Sequence, residues 1–508
     1  MSSEIVGYLY EYLYCLILLL FLGAYWYTRY DIRHNHRKTT QQKKAQNPSV
    51  SKRWRTIDPD GIVLGKIGHN WYRIPERING HGFDVGHCLV VGGSGTGKTS
   101  SVFAETLLAN ADNERNGKDF FRFCALDVKG ELHKEFLPPV IAPENGESEY
   151  YLIDPTDKAM SYGWDTFGVL EGQLEDHDAI MRVSQEIASA YIQMDDKDKY
   201  FGPNAWTMLA GFIAWCVESK PRIEFVDMMQ RLIQENCKDI LQEVLDQAQI
   251  GSVTRQFLGR FDGKGDDSES LDDIVTTMTT ALSCFGYESV TYMLRDNSYR
   301  ISVNDIRDKS IVLVAPENSL NEQELSPVYR MILGCLMQYM MARIPDKGTL
   351  PTVFLLDELY TLGGGDKGYG LNGLGTFLSL ARGYGAACVA SVQSEKMLIK
   401  QYGREGGKII EDNMHKVVLQ ATDPDTIKSV IQWTGKFDER CVSASEGKRV
   451  TTTVTWTRRD IFDSSDISSL VANGKVLIVP LTDQFSLINK SQWFKERLFK
   501  NIKKKMSE

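Results

Sequence analysis

The chain is 508 residues long, 42% hydrophobic and 25% charged, a balance that excludes a disordered chain and leaves room for more than one core. Its net charge of −9 is uneven: with +8 in residues 29–55 and −2 in the first 28 set apart, residues 56–508 carry −15, which argues against nucleic acid coating their outer surface. Nine cysteines with no C-x-x-C pair and eight histidines without ligand spacing argue against a disulfide frame or a zinc site.

Between Glu11 and Arg29 run seventeen uncharged residues, "YLYCLILLLFLGAYWYT", about 26 Å of helix against a bilayer core of about 30 Å. With residues 8–10 added, the stretch 8–28 reads as one transmembrane helix. Tyr8, Tyr10, Tyr12 and Tyr14 gather at one end and Tyr25, Trp26 and Tyr27 at the other, as interfacial belts do. No small-residue cleavage site follows and no basic segment precedes, so a removable signal peptide is the weaker reading. Residues 29–55 form a basic juxtamembrane linker. Their nine Lys and Arg against one acid place the C-terminal body on the cytoplasmic side.

The body opens with "HCLVVGGSGTGKTSS", an apolar strand followed by G-x-x-x-x-G-K-T, the phosphate-binding loop. Glycines let such a loop turn its N–H groups around phosphates, and the helix that follows adds its positive dipole end. Gly92, Gly93, Ser94, Gly95, Thr96, Gly97, Lys98, Thr99 and Ser100 are the candidate ATP contacts. Lys98 is expected at the β- and γ-phosphates and the Thr99 hydroxyl on Mg2+.

Further apolar runs at 121–126, 150–153, 311–315, 352–356, 386–392, 417–420 and 476–479, mostly separated by helix-length stretches, predict a mostly parallel α/β sheet with helices on both faces. About 150 residues with little strand signal interrupt the series. There "NAWTMLAGFIAWCVE" puts Trp206, Leu209, Ala210, Ile213 and Val217 at helical spacing. Residues 168–299 are therefore expected to be an inserted all-α domain. It divides the nucleotide-binding domain into residues 56–167 and 300–508.

Two strands compete for the metal-holding acid. "FCALDVKGE" presents Asp127 followed by a lysine, whereas "VFLLDELY" presents Asp357 and Glu358 side by side. The chemistry needs one acid for the metal and a second, free of it, to orient and deprotonate the attacking water. Only Asp357 and Glu358 supply both, so Asp127 is expected outside the metal site. The next strand ends in Gln393 and is expected beside the acid pair; its amide is the candidate sensor of the γ-phosphate. The loop 363–373, with six glycines, reads as mobile or as a permissive insertion, residues 446–457 as a hairpin arm, and the basic end 495–508 as a solvated tail.

Taken together, these motifs resemble the TraG-like coupling proteins of type IV secretion. "LDVKGEL" is similar to the family's D-x-K-G-E. "LIDPTDKAMSYGWDTFG" is similar to its D-P and S-x-x-W-N-P, with Asp165 and Thr166 where Asn and Pro are usual. "FLLDELYTLG" is similar to its L-D-E-F-x-x-L-G, with Leu359 and Tyr360 substituting. "LARGYGAACVASVQS" and "DPDTIKSVIQWTG" follow in family order. The resemblance implies a RecA-like phosphate-loop core and an inner-membrane ATPase that assembles as a ring, expected to be a hexamer. Such a ring delivers relaxase-bound DNA, effector proteins or both to a type IV secretion channel. It also implies an arginine at Arg382 that completes a neighbouring subunit's site, and Lys129 is expected to support it. Family members commonly carry two membrane helices, where this chain shows one. The competing readings are a membrane-anchored receptor with little turnover and an FtsK-type DNA pump, which would bring a multi-span membrane domain and a winged-helix reader.

Overall fold

The computed structural model describes residues 52–507 except 75–76, 80–81, 85, 116–120, 194–197, 264–268, 296–297, 317–323, 343–345, 347–348, 364–369 and 447–449, together with residues 13, 15–27, 42, 45 and 46. One sheet takes up twelve strands. They are β1 (Arg55–Thr56), β2 (Val63–Ile67), β3 (Asn70–Arg73), β4 (Cys88–Val91), β5 (Arg122–Val128), β6 (Tyr150–Ile153), β7 (Ser310–Ala315), β8 (Thr352–Leu356), β9 (Ala386–Val392), β10 (His415–Val418), β11 (Lys475–Val479) and β12 (Ser486–Asn489). Their order is β1-β3-β2-β12-β11-β10-β4-β9-β8-β5-β7-β6. The seven strands from β10 to β6 are parallel, and the five on the other flank pair antiparallel.

The parallel strands are mostly apolar because helices cover both faces: β7 and β9 are buried along their whole length. Their register is level. Val91 stands beside Val392, and Leu356 stands between Ala390 and Leu126. The turns that follow β4, β5, β8 and β9 therefore open on one edge, the carboxyl edge, where parallel sheets bind ligands.

The helices on the sheet include α1 (Ala104–Arg115) and α2 (Glu131–Phe136). A helical run then fills the long interruption: α3 (His177–Tyr191), α4 (Phe201–Glu218), α5 (Phe225–Gln234), α6 (Cys237–Gln247), α7 (Val253–Leu258), α8 (Glu269–Ala281) and α9 (Glu288–Leu294). Gly163 and Trp164 pair in parallel with Arg300 and Ile301, so the chain leaves for this run and returns from it side by side. In the second half follow α10 (Leu325–Ala342), α11 (Leu374–Leu380), α12 (Glu395–Asp412), α13 (Pro424–Thr434) and α14 (Ser464–Ser468), before a last helix at the C-terminal end.

Helix α10 carries the helical run onto the core. Its Arg330 is buried and donates to the carbonyls of Ala190, at 3.0 Å, and Leu362, at 2.9 Å, tying α3 to the segment just after the acid pair. At Gly334 a Cβ would stand 2.8 Å from Glu186 Oε1, so α10 and the Glu186 side chain of α3 meet closely there. Gln338 donates to the other Glu186 oxygen. Burial pushes the Glu186 carboxyl up to about 7. A raised carboxyl favours folding while it stays protonated, and that benefit is lost as pH rises through about 7. Glu186→Gln is therefore expected to be more stable than wild type at pH 8, by about 2 kcal/mol, with the difference closing toward pH 5. Melting curves at the two pH values check this, and an equal difference at both would refute it.

Residues 15–27 are helical and expose their apolar side chains, among them Leu19, Phe21 and Trp26, but no helix among the described residues is long and apolar enough to cross a membrane. Residues 8–12, 14 and 28 of the expected span lie outside the described residues. The C-terminal residues are not a solvated tail. They form α15 (Arg497–Ser507), whose Phe499, Ile502 and Met506 are buried with Leu107, Leu108 and Trp71 in the core on one face of the sheet. Apolar residues at i, i+3 and i+7 give the helix a buried stripe that its lysines obscure. The expected hairpin arm is formed by Lys436–Glu446 and Val450–Asp460, paired only with each other.

Candidate nucleotide site

Strand β4 ends in the glycine loop at the carboxyl edge. Gly92 N–H donates to Val392 O at 3.1 Å, tying the loop to the end of β9. A Cβ on Gly92 would lie 2.6 Å from Thr96 Oγ1, and Gly95 and Gly97 take φ of 73° and 84°, so the turn requires these three glycines. Thr96 Oγ1 donates to Gly93 O at 2.8 Å and holds the turn from within. Gly93, Ser94 and Gly95 form the outer crest, with Ser94 and Gly95 exposed. The chain then enters a wide first helical turn, Thr99–Phe103, that continues into α1.

Two residues of this loop meet the acid pair, which lies 258 residues further on. Thr99 Oγ1 donates to Asp357 Oδ2 at 2.6 Å. Lys98 Nζ donates to Gly92 O at 2.9 Å and pairs with Glu358 Oε2 at 3.3 Å. Ser391, on the neighbouring β9, links the two acids: its hydroxyl lies 3.3 Å from Asp357 Oδ1 and accepts the Glu358 N–H at 3.1 Å.

Burial pushes the Asp357 carboxyl up to about 6; the Thr99 hydrogen bond and Lys98 pull it down, and the Glu358 charge adds to the rise. Glu358 stands at φ 78°, a left-handed conformation that costs a non-glycine residue of order 1 kcal/mol and turns its side chain onto the loop. Its Oε1 is buried without a hydrogen-bond partner. That orphaned acceptor lies beside Lys98 and the glycine loop, a setting that a water and a phosphate could complete. The Thr99 hydroxyl and the Asp357 carboxylate, both oxygen donors, suit a hard cation such as Mg2+.

The remaining candidates fall in three places. Gln393 follows β9 directly, beside Gly92, half-buried on the same edge. Arg382 lies in the 3-10 turn Ala381–Tyr384 that precedes β9, on the opposite edge of the sheet. Seven strand residues at about 3.3 Å each separate it from Gln393, more than 20 Å from its own loop. Asp127 is set apart from β4 by β9 and β8 and is fully buried. It accepts the N–H groups of Leu132, at 3.0 Å, and His133, at 2.9 Å, and lies 2.7 Å from His133 Nδ1. Asp127 is thus the anchor of α2. Lys129, at φ 89°, lies in the turn between them.

One part of this neighbourhood has no sequence motif. The segment after β12 runs across the glycine loop and the first turn of its helix: Lys490 Nζ donates to Thr96 O, Ser491 Oγ lies 2.5 Å from Glu105 Oε2, and Trp493 N–H reaches Ser100 O at 3.3 Å. Nothing marks these residues in advance, because their contacts join positions nearly 400 apart.

A family model described as Type IV secretory system Conjugative DNA transfer matches residues 38–507. No curated protein matches the chain. Among solved structures, the bacterial conjugative coupling protein TrwBdeltaN70, in an unbound monoclinic form, is similar with a TM-score of 0.61 at 16% identity, over 84% of this chain and 88% of that one. The plasmid coupling protein TrwB in complex with ADP and Mg2+ is similar with a TM-score of 0.56 at 17% identity, over 80% and 85%. The same protein with the non-hydrolysable ATP analogue ADPNP gives 0.56 at 16% over the same shares. At these identities the likeness speaks for the fold.

Proposed function

The chain belongs to the type IV secretory system conjugative DNA transfer family, and on that premise we propose that it is an ATPase that delivers DNA, with its attached relaxase, or effector proteins to a type IV secretion channel. The observation that carries the reading is the double pairing of Thr99 with Asp357 and Lys98 with Glu358. It brings loop, metal acid and base together at one edge. Complexes of TrwB with ADP and Mg2+ and with ADPNP support ATP and Mg2+ as the ligands.

In this reading the amides of Gly93 to Thr99 cradle the phosphates, and Lys98 leaves Glu358 for the β- and γ-phosphates. Thr99 and Asp357 hold Mg2+, which when bound offsets phosphate charge. Freed of Lys98, Glu358 accepts a proton from the water whose oxygen attacks the γ-phosphorus as the bond to the β–γ bridging oxygen breaks. Gln393, at the end of the strand between β4 and β8, senses whether the γ-phosphate is present. Arg382 acts in a neighbouring subunit of a ring. The exposed apolar helix at 15–27 and the basic residues after it support a single anchor in the inner membrane with the body in the cytoplasm. The helices α3–α9 form the inserted domain, placed to meet cargo, and Arg330 links them to the acid-pair segment.

Delivery of a marked plasmid in a mating assay, with wild type and Lys98→Ala compared in the same host, tests the function. Loss of transfer by at least about a hundredfold in the variant is expected, since its phosphates lack their cation. Transfer unchanged by Lys98→Ala would leave the receptor reading in its place.

A further inference from the structure

In the reading above the γ-phosphate end of the site lies by Glu358 and Gln393, on the β9–β8 side of β4. A nucleotide seated in the loop with its γ-phosphate there directs its nucleoside toward the other side of β4. On that flank stand β10, β11 and β12. The segment that follows β12 is the strap already seen crossing the loop.

Three polar groups of this region converge at Gly97. A Cβ there would lie 2.7 Å from Lys490 Nζ, 3.0 Å from Ser100 Oγ and 3.3 Å from Gln492 Nε2. Lys490 is half-buried and donates to the Thr96 carbonyl. The strap itself is firmly seated. Ser491 is buried against Glu105, a fully buried carboxyl on α1, and the Trp493 N–H closes on Ser100 O. Trp493 also packs edge-on against Phe136 at 5.4 Å.

We propose that Lys490, with Gln492 beside it, forms the nucleoside-side wall of the nucleotide site and is a positioning residue for ATP. It fixes the loop through the Thr96 carbonyl and offers an ammonium group on the flank where the α-phosphate and ribose lie. This inference rests on the ATPase reading above. It adds a second lysine, 392 residues beyond Lys98, with a separate role. Lys98 serves the end of the nucleotide that changes in hydrolysis, and Lys490 the end that does not.

The division of labour gives the test. In the full chain with Mg2+, Lys490→Met is expected to raise KM for ATP about tenfold, the loss of one charge-assisted hydrogen bond, while kcat stays within about twofold. The dissociation constants of fluorescent ATP and ADP analogues should weaken by the same factor, since the γ-phosphate is not involved. Lys490→Arg should recover most of the affinity, and Gln492→Ala, a milder change, should weaken ATP and ADP alike by about threefold. Lys490→Met binding both nucleotides as wild type does would overturn the inference and leave the ATPase reading standing. A loss that appears only with a lowered melting temperature and is not recovered by arginine would also overturn it, because that marks a structural role. Wild-type chain that binds no ATP would overturn both.

Discussion

Glu358→Gln is expected to bind ATP as tightly as wild type and to hydrolyse it about a hundredfold to ten-thousandfold more slowly. The substitution keeps size and polarity, so the left-handed turn at this position, the N–H bond to Ser391 and the reach of the side chain survive. What goes is the charge. An amide cannot take a proton from water, and it no longer pairs with Lys98, which sits 3.3 Å from the carboxylate. The loss of that pair works in favour of binding, because Lys98 no longer has to leave a partner to meet phosphate. Equilibrium binding of a fluorescent ATP analogue and steady-state phosphate release separate the two effects. Turnover within about threefold of wild type would remove Glu358 from the role of base and point to Asp357 or to solvent.

Arg382→Ala is expected to lower turnover by about a thousandfold or more while leaving nucleotide binding by the isolated chain unchanged. The reason lies in the sheet. Arg382 precedes β9 and Gln393 follows it, so the arginine cannot reach its own loop. If it serves a phosphate at all, the phosphate belongs to another chain, and a rigid guanidinium supplied in that way is worth about 10^3 to 10^5 in rate. Lys129 lies on the carboxyl edge with the loop, so any support it gives comes from the receiving chain. Mixing Arg382→Ala with Glu358→Gln chains tests the arrangement. Each is expected to be nearly inactive alone, and mixed assemblies contain interfaces where an intact arginine faces an intact base. Recovered phosphate release on mixing supports action between chains. Full activity of Arg382→Ala by itself removes the arginine from the chemistry.

The parts of the site that could be read in advance are those where a short stretch carries its own constraint. The glycine loop is legible because its turn excludes side chains at Gly92, Gly95 and Gly97, and the acid pair because two adjacent carboxylates at a strand end have few structural uses. The parallel core is legible from apolar runs such as 311–315 and 386–392, which a doubly covered sheet buries. Asp127 is the instructive near miss: an acid after an apolar strand, yet it caps α2 through Leu132 and His133. The lysine and glycine after it, which start that turn, are the sign.

What escapes depends on contacts far apart along the chain. The strands 55–73 are short and mix Arg, Lys and Gly with Trp and Tyr, so their apolar pattern is weak. They are strands because β12 and α15 cover them. The helix α15 hides under its lysines, and the strap at 490–493 has no motif, since Lys490 acquires meaning only where β12 delivers it to Thr96. A lysine in isolation is a solvated charge.

Phosphate release from Mg2+–ATP reads directly whether this edge of the sheet turns over ATP. The full-length chain should be measured against Lys98→Ala over a range of protein concentrations, with and without DNA. Release by wild type is expected to rise more steeply than in proportion to protein concentration, as assembly brings Arg382 to its neighbour, with none above background from Lys98→Ala. ATP bound by wild type with no release at any concentration, DNA present or absent, would contradict this.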